Sequence, residues 1–192
     1  MIAQQLKHAF DPYYEAPLEA WTYFASLCKQ VHYPKNDVIK RAHEIELHGY
    51  FLLEGAVGTF VWKKNSLACL NLFLENSFFA DDYSLTTGEP SPLEIVALEP
   101  CTVLRLSKEN IEKLQQTEMG KLLFMVGEAR DNAQKQSHQI DLMTKSPEER
   151  YIDLMTQQPE ILHRIPQKHI ASYLGITTQS LSRIRKRISE GN

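Results

Sequence analysis

Six basic side chains and no acidic one lie between Arg164 and Ile188 of this 192-residue chain. The stretch from Pro166 reads PQKHIASYLGITTQSLSRIRKRI, with one apolar stripe at Ile170, Ala171 and Leu174 and another at Leu181, Ile184 and Ile188. This spacing predicts two helices broken at Gly175, where glycine can take a left-handed turn at little cost. Ala171 supplies the small side chain that a steep helix crossing needs, Ile176 an apolar plug, and Thr177 a hydroxyl to cap the second helix. With Leu181, Ile184 and Ile188 turned inward, Thr178, Gln179, Ser182, Arg183 and Lys186 face outward, and Thr177 and Ser180 complete the set at the helix start. Arginine can bridge guanine O6 and N7, and glutamine adenine N6 and N7, so this is chemistry for a major groove. Arg185 and Arg187 flank the face as phosphate contacts, joined by Lys168, His169 and Ser172 from the first helix.

The charge distribution agrees. Residues 146–192 hold seven Lys/Arg against five Asp/Glu, a net of +2, while residues 1–145 hold 14 against 19, a net of −5. A basic module on an acidic body points to a polyanion as partner. No run of eighteen apolar residues occurs, and the N-terminus lacks the basic-then-apolar layout of a secretion signal, so a cytoplasmic protein without a membrane span is expected. Cys28, Cys69 and Cys101 lie far apart, which suggests neither a disulfide framework nor a zinc knuckle.

The elements that must position the basic module can be read from periodicity. Leu18, Trp21, Phe24, Ala25 and Cys28 recur at helical spacing. From about Tyr33, short runs such as YFLL, VGTFVW, LACLNLFL, LEIVAL and TVLRL are separated by Gly55, Gly58, Lys64-Asn65-Ser66 and Gly88-Glu89-Pro90, the pattern of an antiparallel sandwich or barrel. Glycines inside strand-like sequence suggest tight bends or close backbone approach. Ser107 caps a helix with Glu109 in its first turn. A long helix follows from about Met119 to Lys145. In it Met119, Leu122, Val126, Ala129, Ala133, Gln136, Ile140 and Met143 alternate three and four apart, the a/d repeat of a coiled coil. The same helix could instead pack only on its own domain, through Leu123 and Phe124. Ser146-Pro147-Glu148-Glu149 forms a capping box for a helix to about Thr156. Gln157-Gln158-Pro159 breaks that helix, and an extended piece, Ile161 to Ile165, is expected to lead to Pro166.

Over nearly its whole length the chain resembles the Crp/Fnr family of bacterial transcription regulators, most specifically in RIPQKHIASYLGITTQSLSRIRKR, and it looks most like the compact members found in Bacteroidetes. The resemblance implies an α+β chain: a β-roll of the cyclic-nucleotide-binding type (a double-stranded β-helix) over 1–118, a dimerisation helix over 119–145 and a helix-turn-helix domain over 146–192. It implies a homodimer joined along Leu122, Val126, Ala129, Ala133, Gln136 and Ile140, bound to double-stranded DNA at an inverted-repeat operator, with RNA polymerase as a further partner. An effector pocket is implied near Asp81, Asp82, Ser91 and Pro92, its effector unknown and no cofactor assigned. Where the cyclic-AMP receptors of the family carry Gly-Glu and Arg-Ser pairs, this sequence has Ala80-Asp81 and Ser91-Pro92. A phosphate would lose its guanidinium and one backbone donor, so cyclic AMP is not the expected effector. The N-terminal cysteine cluster of iron–sulfur sensors is missing, and the sequence after the second helix leaves no room for a C-terminal wing hairpin.

Two other classes compete with this reading. A β-roll resembles the cupin barrel, and His43, Glu44 and His48 are the nearest approach to a metal set, yet they sit on a loop-like stretch and no metal is assigned. No Ser/His/Asp or Cys/His grouping is signalled, so no catalytic residue is assigned and no enzyme is expected. The remaining alternative is a small-molecule-binding signalling module whose C-terminal helices bind a protein.

Overall fold

The computed structural model describes residues 1–64 and 66–190. Helices α1 (Ile2–Phe10) and α2 (Leu18–Ser26) come first, followed by strands β1 (Lys29–Tyr33), β2 (Val38–Lys40), β3 (His48–Glu54), β4 (Val57–Lys63), β5 (Ser66–Phe73) and β6 (Phe78–Phe79). A short helix α3 (Asp82–Thr87) precedes β7 (Leu93–Ala97) and β8 (Cys101–Ser107). The strands form two antiparallel four-stranded sheets, ordered β1-β8-β3-β6 and β2-β7-β4-β5. Of the expected turn at Lys64-Asn65-Ser66, Asn65 lies outside the described residues, while Lys63 and Ser66 pair across it.

Alternation along the strands builds two cores from one sheet. Tyr50, Leu52 and Val103 turn into the space between the sheets, where they meet Val57, Phe79, Ile95 and Ala97. Phe51, Leu104 and Leu106 turn the other way and are covered by Leu6, Phe10, Trp21 and Phe24 of the first two helices. Gly55 makes the close approach expected of it: its φ is 98°, and a Cβ there would stand 2.5 Å from the Pro100 carbonyl oxygen.

Helix α4 (Lys108–Gln115) is capped by the Ser107 hydroxyl, which accepts from the Asn110 amide at 3.3 Å. Helix α5 (Glu118–Thr144) is the expected long helix, and Leu123 and Phe124 do join the core beneath it. The capping box at Ser146 starts α6 (Pro147–Gln157). The segment after it is not extended: Pro159 to Arg164 form a helix, α7. Proline at its first position costs no hydrogen bond, and helical spacing turns both Ile161 and Ile165 into a third core. An isolated run of five residues with apolar ends fits a strand or a helical turn equally, and packing decides for the turn. Helices α8 (Gln167–Tyr173) and α9 (Thr178–Glu190) complete the chain. Among the described residues no helix is long and apolar enough to cross a membrane.

Candidate nucleic-acid interface

Helices α8 and α9 meet as the apolar stripes require. Ile170, Ala171, Leu174, Leu181 and Ile184 are buried, and Ile176 and Ile188 pack against them half-buried. Gly175 has φ of 70°, and the Thr177 hydroxyl caps α9 by accepting from the Ser180 amide at 3.2 Å. Thr178, Gln179, Ser182, Arg183, Arg185, Lys186 and Arg187 are exposed, as is Lys168 on α8. Ser180 is half-buried, with its hydroxyl 3.1 Å from that of Thr177, so it serves the cap. Lys186 lies 3.6 Å from Glu190, and Arg187 pairs with Glu148 of α6 at 2.5 Å. Arg183 and Arg185 have no carboxylate within reach among the described residues.

The other side of α8 departs from expectation. Ser172 and His169 do not stand free for phosphates but pack on the roll. The Ser172 hydroxyl accepts the Cys69 amide at 2.8 Å, on the outer edge of β5, and the His169 ring lies 4.9 Å from that of Phe60 on β4. Beneath them a single apolar core joins Ala56, Phe60, Cys69, Leu72 and Leu98 of the roll to Tyr151, Leu154, Ile161, Ile165 and Ile170 of the C-terminal helices.

Two arginines that carried no role in the sequence reading hold this arrangement. Arg164, at the end of α7, grips Glu75 through two hydrogen bonds of 2.7 Å and Glu99 at 2.6 Å. That pairing draws the Glu75 carboxyl down to about 2. Arg150 is buried and donates to the carbonyls of Lys145 at 2.6 Å, Leu142 at 3.3 Å and Leu174 at 3.1 Å, satisfying the ends of both α5 and α8. Beside it His138 of α5 stacks on Tyr173 of α8, with ring centroids 4.1 Å apart.

At the far end of the roll, the four residues of the expected effector pocket come together only in part. Asp81 and Ser91 are buried, but what they face is Lys40, also buried, which no sequence signal marked. Its ammonium donates to Asp81 at 2.6 Å, the Leu93 carbonyl at 2.9 Å and the Ser91 hydroxyl at 3.2 Å, and the Ser91 hydroxyl donates to Asp81 in turn. Asp82 and Pro92 face outward, Asp82 to Lys135 of α5 at 2.5 Å. Nearby, Glu46 is buried and accepts from the Leu47 and His48 amides and the Tyr50 hydroxyl through one oxygen. Burial raises this carboxyl to about 7. Among the described residues no three of His, Cys, Asp and Glu converge on a metal position, and His43 and Glu44 are exposed.

Along α5, Ala129, Ala133, Gln136 and Ile140 are exposed, and Leu122 and Val126 are half-buried. Ile140 and Met143 show 50% and 80% of their surface to solvent, a large apolar exposure on one helix face.

The docking of α8 carries a pH dependence. Burial, and secondarily the charge of Lys168, push the His169 imidazole down to about 4 from its ordinary 6.5. The folded protein therefore takes this proton less readily than the unfolded chain, and the contact weakens as pH falls from 6.5 toward 4. His169→Phe keeps a ring on Phe60 without the proton, so its unfolding midpoint should drop less than that of the wild type between about pH 7 and about pH 4. Equal drops in thermal scans would remove His169 from the acid response.

The cyclic nucleotide-binding domain family matches residues 30–118. No match was found among curated proteins. Among solved structures, the chain is similar to the c-di-GMP-responsive global regulator CLP of Xanthomonas campestris, with 15% identity, 91% of this chain and 93% of that one covered, and a TM-score of 0.71. FixK2 of Bradyrhizobium japonicum matches with 19% identity, 85% of each chain and a TM-score of 0.71. The catabolite activator protein of Thermus thermophilus matches with 19% identity, 95% of this chain and 87% of that one, and a TM-score of 0.60. The chain carries a domain of the cyclic-nucleotide-binding type over residues 30–118, within the fold of the Crp/Fnr-type regulators.

Proposed function

We propose that this protein is a homodimeric, sequence-specific DNA-binding transcription regulator that reads the major groove with α9. The observation that carries the reading is the asymmetry of that helix: Leu181 and Ile184 are buried, while Thr178, Gln179, Ser182, Arg183 and Lys186 all stand exposed. Buried side chains on one face fix the helix, and a polar, basic opposite face has the donors and acceptors that base edges and phosphates match. RNA polymerase is the further partner that such a regulator would meet on DNA.

Dimerisation through α5 is supported by the exposed part of the seam, Ala129, Ala133, Ile140 and Met143. An open groove of about 370 Å³, lined by Tyr14, Met119, Leu122 and Met125 with Glu118 and Lys121 beside them, lies at the N-terminal end of the helix. In an isolated chain this surface would stay wet, whereas two copies related by a two-fold axis would cover it.

The roll does not use cyclic AMP. Lys40 has three donors, and Asp81, Ser91 and Leu93 take all three, so among the described residues the cation buried beside Ser91 is already committed within the roll. Titration calorimetry with cyclic AMP should give no saturable heat, and a stoichiometric isotherm would show this reading of the roll to be wrong.

Val126→Glu with Ile140→Glu would place unpaired charges in the seam. The double variant should sediment as a monomer, and a folded dimer would mean that the seam lies elsewhere.

Selection from random DNA should return an inverted repeat with half-site centres about one helical turn apart. Arg183→Ala should cost about 1–3 kcal/mol on that site and relax one base position per half-site. Arg185→Ala should weaken specific and non-specific DNA alike and flatten the salt dependence. No inverted repeat, together with wild-type binding by both variants, would end the DNA reading.

A further inference from the structure

We infer that Arg164 is a positioning residue that fixes the DNA-reading helices on the roll and so sets the half-site spacing that the dimer accepts. The inference rests on the DNA-binding reading above and deepens it.

The clamp joins three separate parts of the chain. Arg164 ends α7, Glu75 follows β5, and Glu99 lies in the turn between β7 and β8. The guanidinium meets Glu75 end-on through both terminal nitrogens and Glu99 side-on through Nη2 at 2.6 Å and Nε at 3.2 Å. Glu75 is itself held by the Gly55 amide at 2.8 Å. A planar fork between preset carboxylates fixes direction as well as distance, which a lysine ammonium cannot do.

The contacts around the clamp act in the same sense. Strand β5 is the outer strand of its sheet, and Ser172 takes the Cys69 amide from that open edge. Phe60 carries the His169 ring, and the apolar core passes beneath both. On the opposite side, Arg150 ties α8 to the end of α5. The module is thus anchored by one arginine to the roll and by another to the long helix.

None of these contacts uses the outward face of α9. Thr178, Gln179, Ser182 and Arg183 stay exposed while the back of the module is clamped. The docking therefore leaves the reading face open and constrains only its orientation. In a two-fold dimer built on α5, the orientation of α9 relative to that helix decides how far apart the two reading faces stand. A module free to pivot at Lys145-Ser146 would accept several separations, and a clamped one accepts a narrow range.

The test uses the full chain in four forms: wild type, Arg164→Lys, Arg164→Met, and Glu75→Gln/Glu99→Gln/Arg164→Met. The last leaves no partly buried carboxylate unpaired, Glu160 being exposed, so it decides the matter if Arg164→Met alone unfolds. Hydrogen exchange at the Cys69 amide reports docking without DNA, and binding to inverted half-sites with graded spacers reports orientation. Wild type should bind best at one spacer. The triple variant should keep its affinity for a single half-site but lose about tenfold at the preferred spacer, as the competent orientation becomes a minor population. Its optimum should broaden to neighbouring spacers, its Cys69 amide should exchange at least about tenfold faster, and Arg164→Lys should fall between. An unchanged spacer profile in a folded triple variant overturns the spacing role, and an unchanged Cys69 amide overturns the clamp. Faster Cys69 exchange in the triple variant, with no preference of the wild type for paired half-sites, overturns the DNA reading and the spacing role but not the clamp.

Discussion

Strand β5 ends its sheet, so one edge of its backbone has no neighbouring strand, and its apolar side chains need a cover. Helices α7 and α8 supply both between them. Ser172 accepts from the edge, and Ile161, Ile165 and Ile170 close over Phe60, Cys69 and Leu72. Much of the remaining architecture depends on this contact. It gives the short C-terminal helices an apolar core larger than three of them could build alone, and it places Arg164 against the roll. Because α8 is spent on support, α9 is left to carry the exposed polar face.

Charge is handled differently at the two ends of the roll. At the α8 end, Glu75 and Glu99 are partly open to solvent and pair with an arginine from another part of the chain, so their ion pair joins modules. At the α3 end, Lys40 and Asp81 are almost fully enclosed and pair within the roll. Removing either partner there would strand a buried charge, which is costlier than losing an exposed pair. Asp81 also caps α3, and its neighbour Asp82 holds Lys135 on α5. Two adjacent aspartates thus point opposite ways, Asp81 into the interior of the roll and Asp82 to the long helix.

How much of this could be read from the sequence follows from the range of each interaction. The pair of helices α8 and α9 and the turn between them were legible because Ala171, Gly175, Thr177 and the apolar stripes act within a few residues of one another. The capping box at Ser146 and the cap at Ser107 were legible for the same reason. The alternation of strands announced a sandwich, but not which residues its far end would bring together. Lys40 meets Asp81 across 41 positions and Arg164 meets Glu75 across 89, so no local pattern marks either pair. His169 and Ser172 were assigned to phosphates because an isolated two-helix unit would expose them, and only the neighbouring strand reveals that they are already engaged. The extended reading of Ile161 to Ile165 failed on the same point, since a covering partner, not the pentapeptide itself, selects the helix.

The covered edge of β5 has a further meaning for the life of the chain in a crowded solution. Sheet edges with apolar sequence are templates for other strands, and LACLNLF is such a sequence, free of charge and proline. While α8 is seated, the Cys69 amide is occupied and the strand is closed to visitors. During synthesis that protection comes late, because β5 emerges about a hundred residues before Ser172. The nascent roll therefore passes through an interval with an uncovered border, and the C-terminal helices end that interval when they dock. In this protein the segment that joins the C-terminal helices to the roll in the finished molecule is also the one that closes this edge as the molecule is made.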